Sequence, residues 1–511
     1  MTKLWNENST SIPKLRTGIE GFDVISHGGV PLNRTTLLAG TAGSGKTVFA
    51  FQFLIEGINA GEPGVFVSLE DPVGELRENM RGFWDVEAHE KAGRWAFVDA
   101  SPDPGEQMLV SGQYDLGGLM ARIEAAVRRV KAKRVVVDST GALFTQLPDN
   151  ATLRAELYRL NAMLKSLGTT SLLTTERKDD YGDVSRYGVE EFVVDNVVIL
   201  RNSLLDEKRH RTIEVLKFRG AYHQKGEYPF SIDPRHGVVV LPLSAIELKQ
   251  RSSNVRVTSG IGELDAMCGG GFFRDSIILV SGATGTGKTL MVTQFIGASM
   301  EDSNERTILF AFEESRDQLM RNAKSWGVDF EKLEREERLL IIAEYPHAHG
   351  LEDHLLRIRR VIEDFKPHRV AVDSLSALER MSSVQGFREF VTGLTSFIKL
   401  HEIVGLFTSS TPTLAGGTSI TEAHISTITD SIVLLRYVEL YGDMRRGITV
   451  LKMRGSPHDK EIREFTIDGN GMHIGRPFRN VHGILTGNLV HVSSDEMERI
   501  GTMFSSNPEH S

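Results

Sequence analysis

The stretch TGIEGFDVISHGGVPLNRTTLLAGTAGSGKTVFAFQF (residues 17–53) aligns without gaps to SGIGELDAMCGGGFFRDSIILVSGATGTGKTLMVTQF (residues 259–295). The offset, about 242 residues, is that of a duplicated domain rather than a solenoid repeat. Each copy carries G-x-x-x-x-G-K-T, as GTAGSGKT (40–47) and GATGTGKT (282–289), between an apolar run and a helix-like segment. In that strand–loop–helix context the motif is a phosphate cradle. The small residues Gly43, Ser44 and Gly45, and likewise Thr284, Gly285, Thr286 and Gly287, let backbone N–H groups turn inward. The helix N-terminus adds a favourable dipole for the β- and γ-phosphates. Lys46 and Lys288 are placed to reach β/γ oxygens, and the Thr47 and Thr289 hydroxyls to sit on Mg²⁺. ATP and Mg²⁺ are the expected ligands.

At 511 residues the chain exceeds the usual size of one domain. A net charge of −9 argues against non-specific binding to nucleic acid or an anionic membrane. No apolar run reaches the 18 or so residues a membrane span needs, and the polar start MTKLWNENSTS does not read as a signal peptide. A single cysteine, Cys268, rules out an internal disulfide and suits the cytoplasm; it reads as a small buried residue.

The rest of each half is paired as well. GVFVSLED (64–71) and TILFAFEES (307–315) are strands ending in acid, where α/β sheets bind ligands. A carboxylate there can take a proton from an attacking water or hydroxyl. RVVVDST (134–140) and RVAVDSL (369–375) are apolar runs into Asp138 and Asp373, read as aspartates that hold Mg²⁺ through water. Strands follow at 169–176 and 404–410, at 193–201 and 427–436, and at VLKFRG (215–220) and VLKMRG (450–455). Strands alternating with helices predict an α/β fold with a mostly parallel sheet flanked by helices in each half. The polar segment 247–260 reads as a linker between domains at 1–246 and 261–474, with a loop and tail at 475–511.

Two P-loop halves, strand-end acidic pairs and paired K-[FM]-R-G motifs resemble the KaiC family within the RecA-like ATPases. ISHGG (25–29), ASPDP (100–104), RYGVEEF (186–192), QRSSNVRV (250–257), GLEDHL (350–355) and HISTITD (424–430) extend the resemblance over nearly the whole chain. It implies two tandem RecA-like ATPase domains in a homohexameric double ring with ATP between subunits. The first ring is implied to hydrolyse ATP slowly; the second is implied to be a serine/threonine autokinase and autophosphatase in a circadian clock.

The resemblance assigns Glu70 with Asp71, and Glu313 with Glu314, as catalytic pairs, with Glu313 also near the metal. Glu70 is the implied base of the first half, where the family usually has two glutamates. Lys217, Phe218 and Arg219, and Lys452, Met453 and Arg454, correspond to residues that meet the neighbouring subunit's nucleotide. Two-residue spacing puts both cations of a set on one strand face, and a cation in trans can stabilise phosphoryl-transfer charge. His223, Trp326, Arg446, Ser456 and His458 match nucleotide-contacting positions.

The family's phosphorylated residues fall on Ser426 and Thr427, with Thr421 a relay acceptor. Aligning Asp430 with Asp195 places Glu191 and Phe192 there in the first half, and neither has a hydroxyl. Kinase chemistry is therefore expected in the second half and hydrolysis in the first. The tail after 478 diverges from the family segment that KaiA engages, while ASPDPGEQMLVSGQYDL (100–116) resembles the KaiB-facing region, so a KaiB-like partner is expected ahead of a KaiA-like one. The alternatives are a RecA- or DnaB-like DNA-dependent ATPase, disfavoured by charge and the lack of an aromatic-interleaved basic loop, and a KaiC relative in a non-circadian signalling or stress pathway.

Overall fold

The computed structural model describes residues 12–101, 116–145, 149–205, 208–242, 252–301, 304–411, 425–440, 442–479, 481–482, 484 and 490–491. Thr421, the stretch 102–115, the first part of the expected linker and the tail beyond 491 lie outside the described residues. The chain divides into two compact units, Met1–Ala245 and Ile246–Ser511.

In the first unit the parallel strands are β1 (Thr35–Gly40), β2 (Gly64–Ser68), β3 (Trp95–Asp99), β4 (Arg134–Asp138) and β5 (Thr170–Glu176). They are short and apolar because helices cover both faces of the sheet. Next come β6 (Asn196–Leu205), β7 (Lys208–Phe218), β8 (Glu227–Asp233) and β9 (Gly237–Val240). The order across the sheet is β9-β8-β7-β6-β1-β5-β4-β2-β3, with β6 parallel to β1 and the last three strands antiparallel. The P-loop helix α1 (Lys46–Asn59) is buried around most of its girth, through Phe49, Phe51, Phe53 and Leu54. Its buried Gln52 is satisfied by backbone at β9: Nε2 donates to the His236 carbonyl at 2.8 Å and Oε1 accepts from Val238 N at 2.8 Å.

The second unit repeats the plan. Its strands are β10 (Ile277–Gly282), β11 (Thr307–Ala311), β12 (Leu339–Ala343), β13 (Arg369–Asp373), β14 (Val404–Ser410), β15 (Ser431–Leu440), β16 (Asp443–Met453), β17 (Arg463–Asp468) and β18 (Gly471–Pro477). They are ordered β12-β11-β13-β14-β10-β15-β16-β17-β18. The P-loop helix α2 (Lys288–Gly297) follows β10, and α3 (Leu351–Phe365) covers the sheet with Leu351, Leu355, Ile358 and Ile362 at helical spacing. The expected α/β class in two tandem units is present, each with a nine-stranded main sheet among the described residues.

Sheet polarity decides what each end of a unit can do. In β6, Asn196 is level with Thr36 and Leu200 with Gly40; in β7, Phe218 is level with Asn196 and Ile213 with Leu200. The carboxyl end of β7 therefore lies at the amino end of β1, while the P-loop leaves β1 at its carboxyl end. The two are separated by four residue steps, roughly 13 Å along the sheet. The same holds for β16 and β10, since Ile432 pairs with Lys452 and Gly282 with Leu435.

Three expected boundaries shift. Arg256–Val257, placed in the linker, pairs with Phe272–Phe273, and Ser253 N donates to Asp275 at 3.1 Å, so this stretch is part of the second unit. β18 runs to Pro477 and Phe478 packs with Val438 and Leu440, beyond the expected limit at 474. Ser426 and Thr427 lie in a 3₁₀ turn, Ile425–Thr427, ahead of β15 rather than at its start. Cys268 is buried, its thiol pushed up to about 12 by burial.

Candidate functional site

Each unit presents one site at the carboxyl end of its parallel strands. Gly45 caps α1 in the left-handed region at φ 92°, and a Cβ there would come within 2.8 Å of Ile232 Cδ1. Gly287 does the same for α2 at φ 106°. Ser44 and Thr286 are buried and donate to the Thr41 and Ala283 carbonyls at 2.7 Å, so their hydroxyls brace the loop. Gly43, Thr284 and Gly285 form its exposed rim. Lys46 Nζ donates to the Gly40 and Thr41 carbonyls at 3.0 and 3.1 Å; Lys288 Nζ donates to those of Gly282 and Ala283 at 2.9 and 3.0 Å. Burial lowers both lysines' pKa, opposed by Asp138 in one site and Asp373 in the other.

Asp138 accepts from Thr47 Oγ1 at 3.1 Å and from the Thr174 hydroxyl, and Asp373 from Thr289 and Thr408 Oγ1 at 2.8 and 2.5 Å. Burial raises both aspartates' pKa, and the hydroxyl hydrogen bonds pull the other way. A hydroxyl beside a buried carboxylate is a hard-oxygen set of the kind Mg²⁺ takes together with substrate phosphates. Among the described residues no cluster of three or more His, Cys, Asp or Glu could hold a metal alone. The residues thus fit a nucleotide-borne Mg²⁺.

Glu70 and Asp71 lie just past β2, and Glu313 and Glu314 just past β11. Burial raises the Glu70 pKa, with Glu176 next in effect, against a hydrogen bond from Ser139. In the second pair, Glu314 accepts from Asn322 Nδ2 at 3.0 Å and from Thr289, and its pKa is raised chiefly by burial. Glu313 instead pairs with Arg380 at 3.2 Å. Both members belong to the site: Glu313 acts electrostatically on Lys288 and Asp373, and Glu314 is oriented by Asn322.

Lys217 Nζ donates to the Glu191 and Val194 carbonyls at 3.2 and 3.1 Å, and Lys452 Nζ to those of Ser426 and Thr429 at 2.8 and 2.6 Å. The two lysines hold equivalent turns, which places Glu191 and Phe192 opposite Ser426 and Thr427 in position. Arg454 Nη2 donates to the Thr427 carbonyl at 2.9 Å; Arg219 is exposed. Phe218 and Met453 alternate to the other strand face and are buried in their own cores, so a ligand can meet only their backbone. Trp326 packs half-buried against the second core, His223 lies edge-on to Phe218, and Ser456 accepts from Arg256 Nη2 at 2.7 Å with His458 two residues on.

Tyr437, Arg211 and Asn202 also reach these sites, though the sequence alone did not single them out. Arg446 lies over the Tyr437 ring at 5.7 Å, and the Tyr437 hydroxyl reaches the P-loop, 2.7 Å from where a Cβ on Gly285 would sit. At the corresponding places in the first unit, Arg211 Nε donates to the Gly43 carbonyl at 3.3 Å and Asn202 Nδ2 to Ala42 at 3.4 Å. The signal was the repeat itself: the register that matches Lys217 to Lys452 matches Arg211 to Arg446.

Fold and site together define a tandem P-loop ATPase with two nucleotide sites. A family model described as "ATPase: KaiC" matches residues 15–245 and 257–478. The chain belongs to the KaiC family of ATPases. It is similar to the circadian clock protein KaiC3 of Synechocystis sp., 62% identical over 98% of this chain and 99% of the relative. It is also similar to the circadian clock oscillator protein KaiC of Thermostichus vulcanus, 54% identical over 96% and 94%, and of Synechococcus elongatus, 53% over 97% and 95%. No helix among the described residues is long and apolar enough to cross a membrane.

Proposed function

We propose that this chain is an ATP-driven timing protein of the KaiC type. In this reading the first half hydrolyses ATP slowly, and the second phosphorylates and later dephosphorylates Ser426 and Thr427. The observation that carries it is the pair of equivalent lysine-held turns, one bearing two hydroxyls and the other Glu191 and Phe192. A hydroxyl receives the phosphoryl group where one is offered, and water does where none is. Glu313 takes the proton of the attacking hydroxyl and Glu70 that of water, while Lys46 and Lys288 hold the β/γ oxygens. Thr47 with Asp138, and Thr289 with Asp373 and Glu313, would hold Mg²⁺, which when bound would supply positive charge to those oxygens.

Sheet polarity supports transfer between subunits. The Ser426–Thr427 turn, Lys452 and Arg454 lie at the end of the sheet opposite their own P-loop. The phosphoryl donor is then a neighbour's nucleotide, consistent with a cytoplasmic homohexamer that has ATP at its interfaces and works with a KaiB-like partner. The central test is phosphosite mapping of purified protein with ATP and Mg²⁺ over two days, with and without a KaiB-like protein; no modification of Ser426 or Thr427 in either arm would sink the reading.

Two further outcomes are expected. Mixing Glu313→Gln subunits with subunits carrying Ser426→Ala and Thr427→Ala restores phosphorylation that neither has alone, on the former only; failure in verified mixed rings would place the transfer within one chain. Since ligand binding at an interface stabilises the assembly by mass action, Lys46→Ala is expected to weaken the oligomer more than Lys288→Ala does. A nucleotide-independent hexamer of Lys46→Ala by light scattering would contradict this.

A further inference from the structure

The two sites differ in one acidic group that the reaction scheme above leaves unused. Glu176 ends β5 in register with Gly40, the last residue of β1 and the first of the P-loop motif. The corresponding residue, in register with Gly282, is Ser410. The correspondence is anchored two residues earlier, where Thr174 and Thr408 each donate to the buried aspartate. Glu176 is held in place: its carbonyl accepts from Arg186 N at 3.0 Å, its carboxylate lies 3.6 Å from the Arg186 guanidinium, and the next amide, Arg177 N, donates to the Gly40 carbonyl at 3.1 Å. Level with Gly40, Glu176 stands at the P-loop end of the sheet, and its carboxylate acts electrostatically on both Glu70 and Lys46.

We propose that Glu176 is a further catalytic residue of the first site, accepting the second O–H of the attacking water. The inference rests on the reading of that half as hydrolytic. Water differs from a serine or threonine hydroxyl in having two O–H bonds, and both must be directed for a lone pair to face phosphorus. The water oxygen bonds to the γ-phosphorus as the bond to the bridging oxygen breaks and its electron pair leaves on ADP. Glu70 takes one proton; the other stays on the new phosphate oxygen, directed towards Glu176 throughout. A protein hydroxyl has only one such bond, so the second site has no need of this acceptor and carries Ser410.

The test uses the full-length, ATP-assembled protein and measures kcat for phosphate release and KM for ATP in Glu176→Ser, Glu176→Gln and Glu70→Gln. Loss of a hydrogen bond to a charged acceptor is expected to lower kcat of Glu176→Ser about 10–100-fold with KM changed less than about 2-fold. Glu176→Gln keeps an amide oxygen as acceptor and falls between. Wild-type kcat in Glu176→Ser, or a loss confined to KM, overturns the proposal. Phosphate release untouched by Glu70→Gln would instead overturn the hydrolytic reading of the half. Should Glu176→Ser fail to assemble, Ser410→Glu decides: more phosphate release with less Thr427 modification supports the assignment, and an unchanged partition overturns it.

Discussion

Glu313→Gln is expected to lower phosphorylation of Ser426 and Thr427 by about 10²–10⁴-fold, the usual contribution of a positioned general base. Glutamine keeps the size of the side chain and can still accept from Arg380, which lies 3.2 Å from the Glu313 carboxylate, but it takes up no proton. Phosphate release by the first half persists in this variant, because Glu70 belongs to a different site. The reciprocal variant, Glu70→Gln, loses most hydrolysis and keeps both phosphosites. Phosphosite mapping beside phosphate release reads both. A wild-type rate of Thr427 modification in Glu313→Gln would show that another group is the base, and phosphate on the first half would end the asymmetry on which the proposed function rests.

Arg369→Ala is expected to destabilise the second unit by about 3–5 kcal/mol, the cost of leaving one partner of a buried ion pair alone. Arg369 is 2% exposed; its Nε lies 2.6 Å from Glu305, Nη1 donates to the Thr258 carbonyl at 2.8 Å, and the guanidinium stacks 5.0 Å over Phe295. It thus ties the start of the unit to α2 and β13. Arg134 does the same in the first unit, to Glu62, the Arg16 and Phe53 carbonyls and the Phe53 ring. Hydrogen exchange should show second-unit amides losing protection while first-unit amides keep theirs. Replacing Arg369 and Glu305 together with methionine should recover most of the loss, since no charge is then left buried. A single variant within about 1 kcal/mol of wild type would mean that water reaches Glu305.

The P-loops, the buried aspartates and the strand-end acids were legible because each is a local pattern, an apolar run meeting a fixed chemical group. What escaped depended on partners distant in sequence. The Ser426–Thr427 turn is shaped by Lys452, 26 residues from Ser426, whose ammonium gathers two carbonyls. Nothing between 425 and 430 announces it. Residues 256–257 read as linker because their partner strand is the two-residue Phe272–Phe273, too short to leave a period. Tyr437, Asn202 and Arg211 reach the P-loop across the sheet.

The antiparallel return of β7 and β16 gives each unit a handedness of supply and receipt. The P-loop lies at one end of the sheet, and the groups proposed to answer to a neighbour's nucleotide lie at the other. Such a contact joins unlike surfaces, and repeated with closure it makes a ring rather than a two-fold pair. In a ring of this kind no subunit writes its own mark. Under the proposed function, the record each one carries would be of the nucleotide history next door, passed in a single rotational sense. A hexamer with one defective member would have one unwritten position, always on the same side of the defect.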